Sequence, residues 1–183
     1  MKALISRKTS LLELGAIVCQ ALKNDGLDAF LSGGAVVSIY TNNKYQSHDL
    51  DFVTNDDRVK IKRCMEKLGF KQDKSRHFVH PDNDFFVEFP GSAVMVGDAL
   101  ISEFSEIIVP QGTLKLLTPT DCVKDRLAAF YHWNDPQGLN QAVWVAQAHP
   151  INVESVRRWS EKEGMGSKFK TFLEACLDTS KRL

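Results

Sequence analysis

Asp49 and Asp51, in the run HDLDFV, are the residues of this 183-residue chain best spaced to do chemistry together. On a strand, residues two apart point to the same face roughly 6 to 7 Å apart, while Leu50 and Phe52 turn to the other, apolar face. Two such carboxylates repel unless a cation lies between them. Mg²⁺ suits the pair, because a hard ion takes carboxylate oxygens and keeps substrate phosphate oxygens as further ligands. Two ions about 3.5 to 4 Å apart would activate an attacking oxygen and hold a leaving phosphate. A D-x-D pair also occurs on plain solvated strand faces, so its neighbours decide the reading.

Those neighbours are a glycine turn and a third acid. Ser32, Gly33 and Gly34 end the short apolar run DAFLS and open AVVSIYT, which can make two helical turns before NNK. Glycine lets a backbone approach a triphosphate closely, and the first amides of a helix offer it the positive end of a dipole. A lone GG is common in turns. Here it precedes the D-x-D pair by one short helix, so the chain can bring the turn beside the aspartates. Glu88, in FFVEFP, is flanked by Val87 and Phe89, which sets a charged side chain on one face of a strand whose other face is apolar. On a strand adjacent to the aspartates it would take a proton from a hydroxyl or ligate a metal. Asp82 and Asp84 compete for that role, but they fall in a turn and would be less well fixed.

The elements that must position these residues follow from capping and periodicity. Ser10 and Glu13 form a capping box ahead of Leu11, Leu14, Ile17, Val18, Ala21 and Leu22, a helix stopped by NDG. HDLDFVT reads as a strand and DDRVKIKRCMEKLGF as a helix closed by Gly69. RHFVH, FFVEF, SEIIVP and TLKLL extend one mixed or mostly antiparallel sheet. From Pro119 onward the chain reads as helices near 120–133, 138–149, 152–163 and 167–179. The expectation is an α+β fold, with a head over 1–117 and an α-helical subdomain over 118–183 packed on it. Trp133, Trp144 and Phe130 read as core of that subdomain. Arg157 to Trp159 with Lys162 reads as a solvated helix face with one anchoring Trp, or as a basic aromatic patch for RNA. His77 and His80, three apart on a strand, fall on opposite faces and make no metal pair.

Composition narrows the class. Lys plus Arg and Asp plus Glu number 23 each, so no global field gathers nucleic acid or anionic lipid, and only a local basic patch could. Cys19, Cys64, Cys122 and Cys176 form no CxxC pair, which points to free thiols in a reducing compartment. The opening MKALISRKTSLLELGAIVCQALKN has basic residues and an apolar stretch, but Glu13 and Gln20 interrupt it and no leader cleavage pattern follows. No apolar run approaches the ~20 residues that span a bilayer. The expectation is a cytoplasmic protein.

GG, then SHDLDFV, then VEF resembles the head of the nucleotidyltransferase superfamily that includes DNA polymerase β, kanamycin nucleotidyltransferase and the minimal bacterial nucleotidyltransferases; the resemblance covers residues 27–90. TPTDCVKDRLAAFYHWNDPQGLNQAVWVA resembles the helical segment of bacterial abortive-infection, type IV toxin-like relatives. The resemblance implies two Mg²⁺ ions on Asp49, Asp51 and Glu88. It implies an NTP held by Ser32, Gly33, Gly34, Ser47, His48 and a basic residue of the tail, Arg126 or Lys124. It further implies transfer of a nucleoside monophosphate to a hydroxyl of an RNA end, a protein or a small molecule, and a possible antitoxin-like protein partner. Many relatives carry Ser or Thr where this chain has Ala35, and Arg or Thr where it has Gln46-Ser47-His48. A non-catalytic module that keeps the fold is the alternative.

Overall fold

The computed structural model describes residues 4–75, 77–91, 95–96 and 99–180. Helix α1 (Leu11–Asn24) starts at the expected capping box: Glu13 Oε2 accepts from Ser10 N at 2.8 Å, and Ser10 Oγ accepts from Glu13 N at 3.3 Å. Its apolar stripe is buried, and Gly15 lies against Leu50 and Leu114.

Next come β1 (Ala29–Ser32), α2 (Gly33–Tyr40), β2 (Asp49–Thr54) and α3 (Arg58–Lys67), then β3 (Lys71–Gln72), β4 (Phe78–His80) and β5 (Asn83–Glu88). Strands β8 (Phe104–Val109) and β9 (Gly112–Leu117) follow a two-residue pair, β6 (Met95–Val96) with β7 (Ala99–Leu100), in a stretch where the sequence suggested no element. Arg76, the first residue of the expected strand RHFVH, lies outside the described residues.

Seven strands make one mixed sheet in the order β3-β4-β5-β2-β1-β9-β8. β1 runs antiparallel to β2, so α2 links neighbouring antiparallel strands instead of making a parallel crossover. β2 and β5 are parallel, as are β1 and β9. Alternation then sorts the side chains. Leu31, Leu50, Phe52, Val87 and Leu116 are fully buried, each worth roughly 1.5 to 3 kcal/mol of transfer free energy, while Ser32, Asp51 and Glu88 are left half-exposed.

Four helices complete the chain: α4 (Pro119–Trp133), α5 (Pro136–Ala148), α6 (Val153–Lys162) and α7 (Gly166–Ser180). Each of the first three is capped by a side chain, from Thr118, Asp135 and Asn152. Tyr40 Oη donates to Leu117 O at 2.6 Å and Tyr40 O meets His149 Nε2 at 2.9 Å, which ties α2 to β9 and to the end of α5. Val123 and Leu127 of α4 are buried, Phe130 is half-buried, and Asn134 leaves the helix in the left-handed region at φ 53°.

Trp133 corrects the expectation of a core tryptophan. It is 77% exposed, at the last residue of α4. Trp144 is half-buried under Lys44, with the ammonium 5.1 Å from the ring centroid. On α6, Arg157 pairs with Glu154 and Glu161 while Trp159 is buried and stacks on Tyr131 at 5.4 Å, which is a solvated face with one anchor. Among the described residues no helix is long and apolar enough to cross a membrane.

Candidate active site

Register brings the three acids together. Asp51 pairs with Ser32 across the antiparallel β1–β2 ladder and with Glu88 across the parallel β2–β5 ladder, so all three side chains leave the same face. Asp49 is two residues upstream on that face. The crowding has an electrostatic signature: the Asp51 carboxyl is pushed up to about 7, first by burial and then by the charges of Asp49 and Glu88, with Arg126 pulling the other way.

Each carboxylate has its own holder. The buried Ser47 donates its hydroxyl to Asp49 Oδ1, and Ser47 N donates to Ser38 Oγ at 2.9 Å, which in turn donates to Gly34 O at 3.2 Å. The hydroxyl that the resemblance turned toward a nucleotide is thus directed to a carboxylate. Asp51 lies against the turn: a Cβ built on Gly33 would collide with its Oδ2. Glu88 Oε1 is 2.9 Å from His77 Nε2, and His77 stacks on Phe86 with centroids 4.7 Å apart.

His77 is the residue that sequence reasoning missed. Phe78 faces Val87 across the β4–β5 ladder, so extending that register by one residue places His77 opposite Glu88. Only the register reveals it, and a shift between Val79 and His80 obscures the register in the sequence. His80 packs on Phe70 instead.

The glycine pair divides its work differently from the sequence reading. Gly33, at φ +71°, is the position in the left-handed region and the first residue of α2. At Gly34 a Cβ would meet Tyr45 at 3.0 Å and the Ser47 hydroxyl at 3.1 Å, so its small size serves packing beneath Asp49. Ser32 is the N-cap of α2 but makes no capping bond; its hydroxyl donates to Asp51 O at 3.2 Å, and among the described residues no side chain caps the first amides of the helix. His48 is exposed beside Phe85, on the edge of this face.

The two basic candidates of the tail separate. Lys124 is 3.0 Å from Asp121, one turn back on α4. Arg126 donates to Asp125 Oδ2 at 3.0 Å from Nε and 2.5 Å from Nη2, and to Gln141 on α5 at 3.4 Å from Nη1. Burial alone would lower its pKa, but Asp125 and Asp51 outweigh that and raise it, so the guanidinium stays charged within electrostatic reach of the carboxylates. α5 presses on it from behind: a Cβ on Gly138 would sit 2.6 Å from Arg126 O.

The all-oxygen donor set, with mutual repulsion that a cation would relieve, fits a hard divalent ion. Among the described residues no three carboxylate, histidine or cysteine side chains close into a ready-made metal cage.

Solved structures share the architecture. An antigenic nucleotidyltransferase-like protein from Paracoccidioides brasiliensis superposes with a TM-score of 0.56 over 76% of this chain and 77% of its own, at 13% identity. The antibiotic-resistance factor ANT(2'')-Ia matches in its solution structure with a TM-score of 0.50 over 97% of this chain and 100% of its own, at 13% identity. Its crystal structure in complex with adenylyl-2"-tobramycin matches at 0.52 over 88% and 97%, at 12% identity. No protein-family model and no curated protein matches the chain in sequence. At 12–13% identity the likeness is one of fold: this chain shares the architecture of these nucleotidyltransferase and nucleotidyltransferase-like structures.

Proposed function

We propose that the protein is a Mg²⁺-dependent nucleotidyltransferase that moves a nucleoside monophosphate from an NTP to an acceptor hydroxyl and releases pyrophosphate. The observation that carries this reading is the convergence of Asp49, Asp51 and Glu88 on one sheet face, beside a helix whose N-cap, Ser32, makes no side-chain capping bond. A non-catalytic module would have no use for three carboxylates gathered on one face, where burial first and then the neighbouring charges push Asp51 up to about 7.

Asp49, Asp51 and Glu88 would hold the ions, which supply Lewis-acid activation of the hydroxyl and charge neutralisation on the phosphates. The acceptor oxygen bonds to the α-phosphorus, the bond from that phosphorus to the bridging oxygen breaks, and pyrophosphate leaves with the electron pair. Glu88 takes the hydroxyl proton, and His77 holds the carboxylate in place to receive it. Gly33 and Gly34 present backbone N–H groups to the triphosphate, and Arg126 balances its charge from the far side. In this reading 1–117 is the catalytic head, and 118–183 is the helical subdomain that supplies Arg126.

The test is release of pyrophosphate from each of the four NTPs with Mg²⁺, alongside mass spectrometry of the protein and of bulk RNA after incubation. Absence of both turnover and Mg²⁺-dependent NTP binding would refute the reading. A toxin-like or defence role with an antidote protein is a corollary of the resemblance; its measure is growth arrest on expression that depends on Asp49 and Asp51.

A further inference from the structure

Glu88 and His77 form one lip of a groove of about 590 Å³ that leads away from the carboxylate face, between the first turns of α3 and the ends of β4 and β5. Its wall is apolar at Ile61, Phe78, Phe89 and Pro90. Arg58 and Lys62 stand over it one helical turn apart, and so share a face of α3. Lys62 has only a long contact with Glu66, 3.9 Å with both side chains about half exposed, and Arg58 makes no ion pair among the described residues.

The charge extends beyond the groove. α3 carries Arg58, Lys60, Lys62, Arg63 and Lys67 against the single acid Glu66, in a chain whose net charge is zero. Lys67 is held by Asp25 at 2.8 Å; Lys60 and Arg63 are exposed. This is the one kind of surface through which a neutral protein can attract a polyanion: a local patch.

We propose that this groove is the acceptor site and that its occupant is the terminal nucleotide of a single-stranded nucleic acid. The inference rests on the nucleotidyl-transfer reading. A flat base suits the apolar wall, a backbone phosphate suits Arg58 and Lys62, and the terminal ribose then presents its hydroxyl to Glu88. The volume accommodates one nucleotide, and the remaining cations of α3 are more than one phosphate needs, which favours a strand over a free nucleotide. A polycationic aminosugar would meet like charge from Arg58 and Lys62 at the same place.

Binding without NTP or metal tests this independently of catalysis. A labelled hexaribonucleotide, 5′-AMP and tobramycin are titrated against wild type, against Arg58→Glu/Lys62→Glu, and against Arg158→Glu/Lys170→Glu, an equal charge change on exposed positions of α6 and α7. The expected result is at least tenfold weaker hexanucleotide binding in the α3 variant, less than threefold in the control, and 5′-AMP at least tenfold weaker than the strand throughout. Unchanged strand binding in the α3 variant, equal losses in both variants, or 5′-AMP as tight as the strand would overturn the proposal. Tobramycin binding that the α3 reversal weakens would overturn it too. Pyrophosphate release on the same samples is scored apart: its failure bears on the transferase reading, and the binding pattern bears on the groove.

Discussion

The two sides of the candidate site are held by different means. On the anionic side, Asp49, Asp51 and Glu88 are fixed by strand register, which is a backbone property: Asp51 has a ladder partner on each side, and shifting either ladder by one residue would turn a carboxylate into the core. On the basic side, Arg126 is fixed by side chains, through Asp125 and Gln141, and by the close crossing of α4 and α5 at Gly138. The first side is rigid and internally repulsive; the second is adjustable and internally neutralised. It follows that substitutions on the anionic side should change chemistry and leave the frame alone, whereas those on the basic side should grade affinity.

The widest separation between the two sides should come from Asp49→Asn and Asp51→Asn. Each is expected to lower pyrophosphate release by about 10³-fold or more, the scale seen when a preorganised electrostatic group is removed. Asp51→Asn should at the same time raise the melting temperature of the metal-free protein, since it deletes a carboxylate whose charge is disfavoured first by burial and then by Asp49 and Glu88. A variant near wild-type turnover would break the comparison at its root.

Gly33→Ala follows. It places a Cβ at φ +71° and against Asp51 Oδ2, so it should cost about 1 to 3 kcal/mol of stability in chemical denaturation, alongside loss of NTP affinity. Gly34→Val should also destabilise, through Tyr45 and Ser47 rather than through a blocked phosphate.

On the basic side, Arg126→Ala should weaken binding of a non-hydrolysable NTP with Mg²⁺ by roughly 1.5 to 3 kcal/mol, with little change for Lys124→Ala, whose ammonium is engaged with Asp121. Equal affinity in wild type and Arg126→Ala would remove the tail from the site.

The smallest effect is a slope. Asp51 has a folded-state pKa raised to about 7 above an ordinary value of 3.8, so the native state binds the proton more tightly than the unfolded chain. Its contribution to stability is fully present below about pH 4 and is lost as pH rises to about 7, on the order of 2 kcal/mol once solvent screening is allowed for. Urea midpoints of metal-free protein across that window should fall with rising pH relative to Asp51→Asn, and saturating Mg²⁺ should flatten the difference.

What could be read from the sequence tracks this division. The D-x-D spacing, the flanked Glu88 and the Ser10–Glu13 cap are local patterns, and local patterns survive into the structure because strand alternation and helix capping depend on adjacent residues. His77 was hidden because its partner is set by a hairpin register with an irregularity. The positive φ at Gly33 depends on α2 starting two residues ahead of its apolar run, which opens at Ala35. Trp133 looked like core because its size says nothing of where a helix stops.

The antiparallel pairing of β1 with β2 also has a consequence for the order in which the molecule is made. The glycine turn and both aspartates belong to one unit, residues 29–54, whose partners are near in sequence, while Arg126 and the β9 strand that flanks β1 emerge much later from the ribosome. Contacts of low sequence separation close first, so the anionic half should take shape while its counter-charge is still being synthesised. During that interval the nascent unit would depend on protons or free divalent ions for its balance. Pulse-labelled hydrogen exchange during refolding should find the β1–β2 amides protected before those of α4 and α5, and earlier still when Mg²⁺ is present; simultaneous protection would show that the two halves assemble as one.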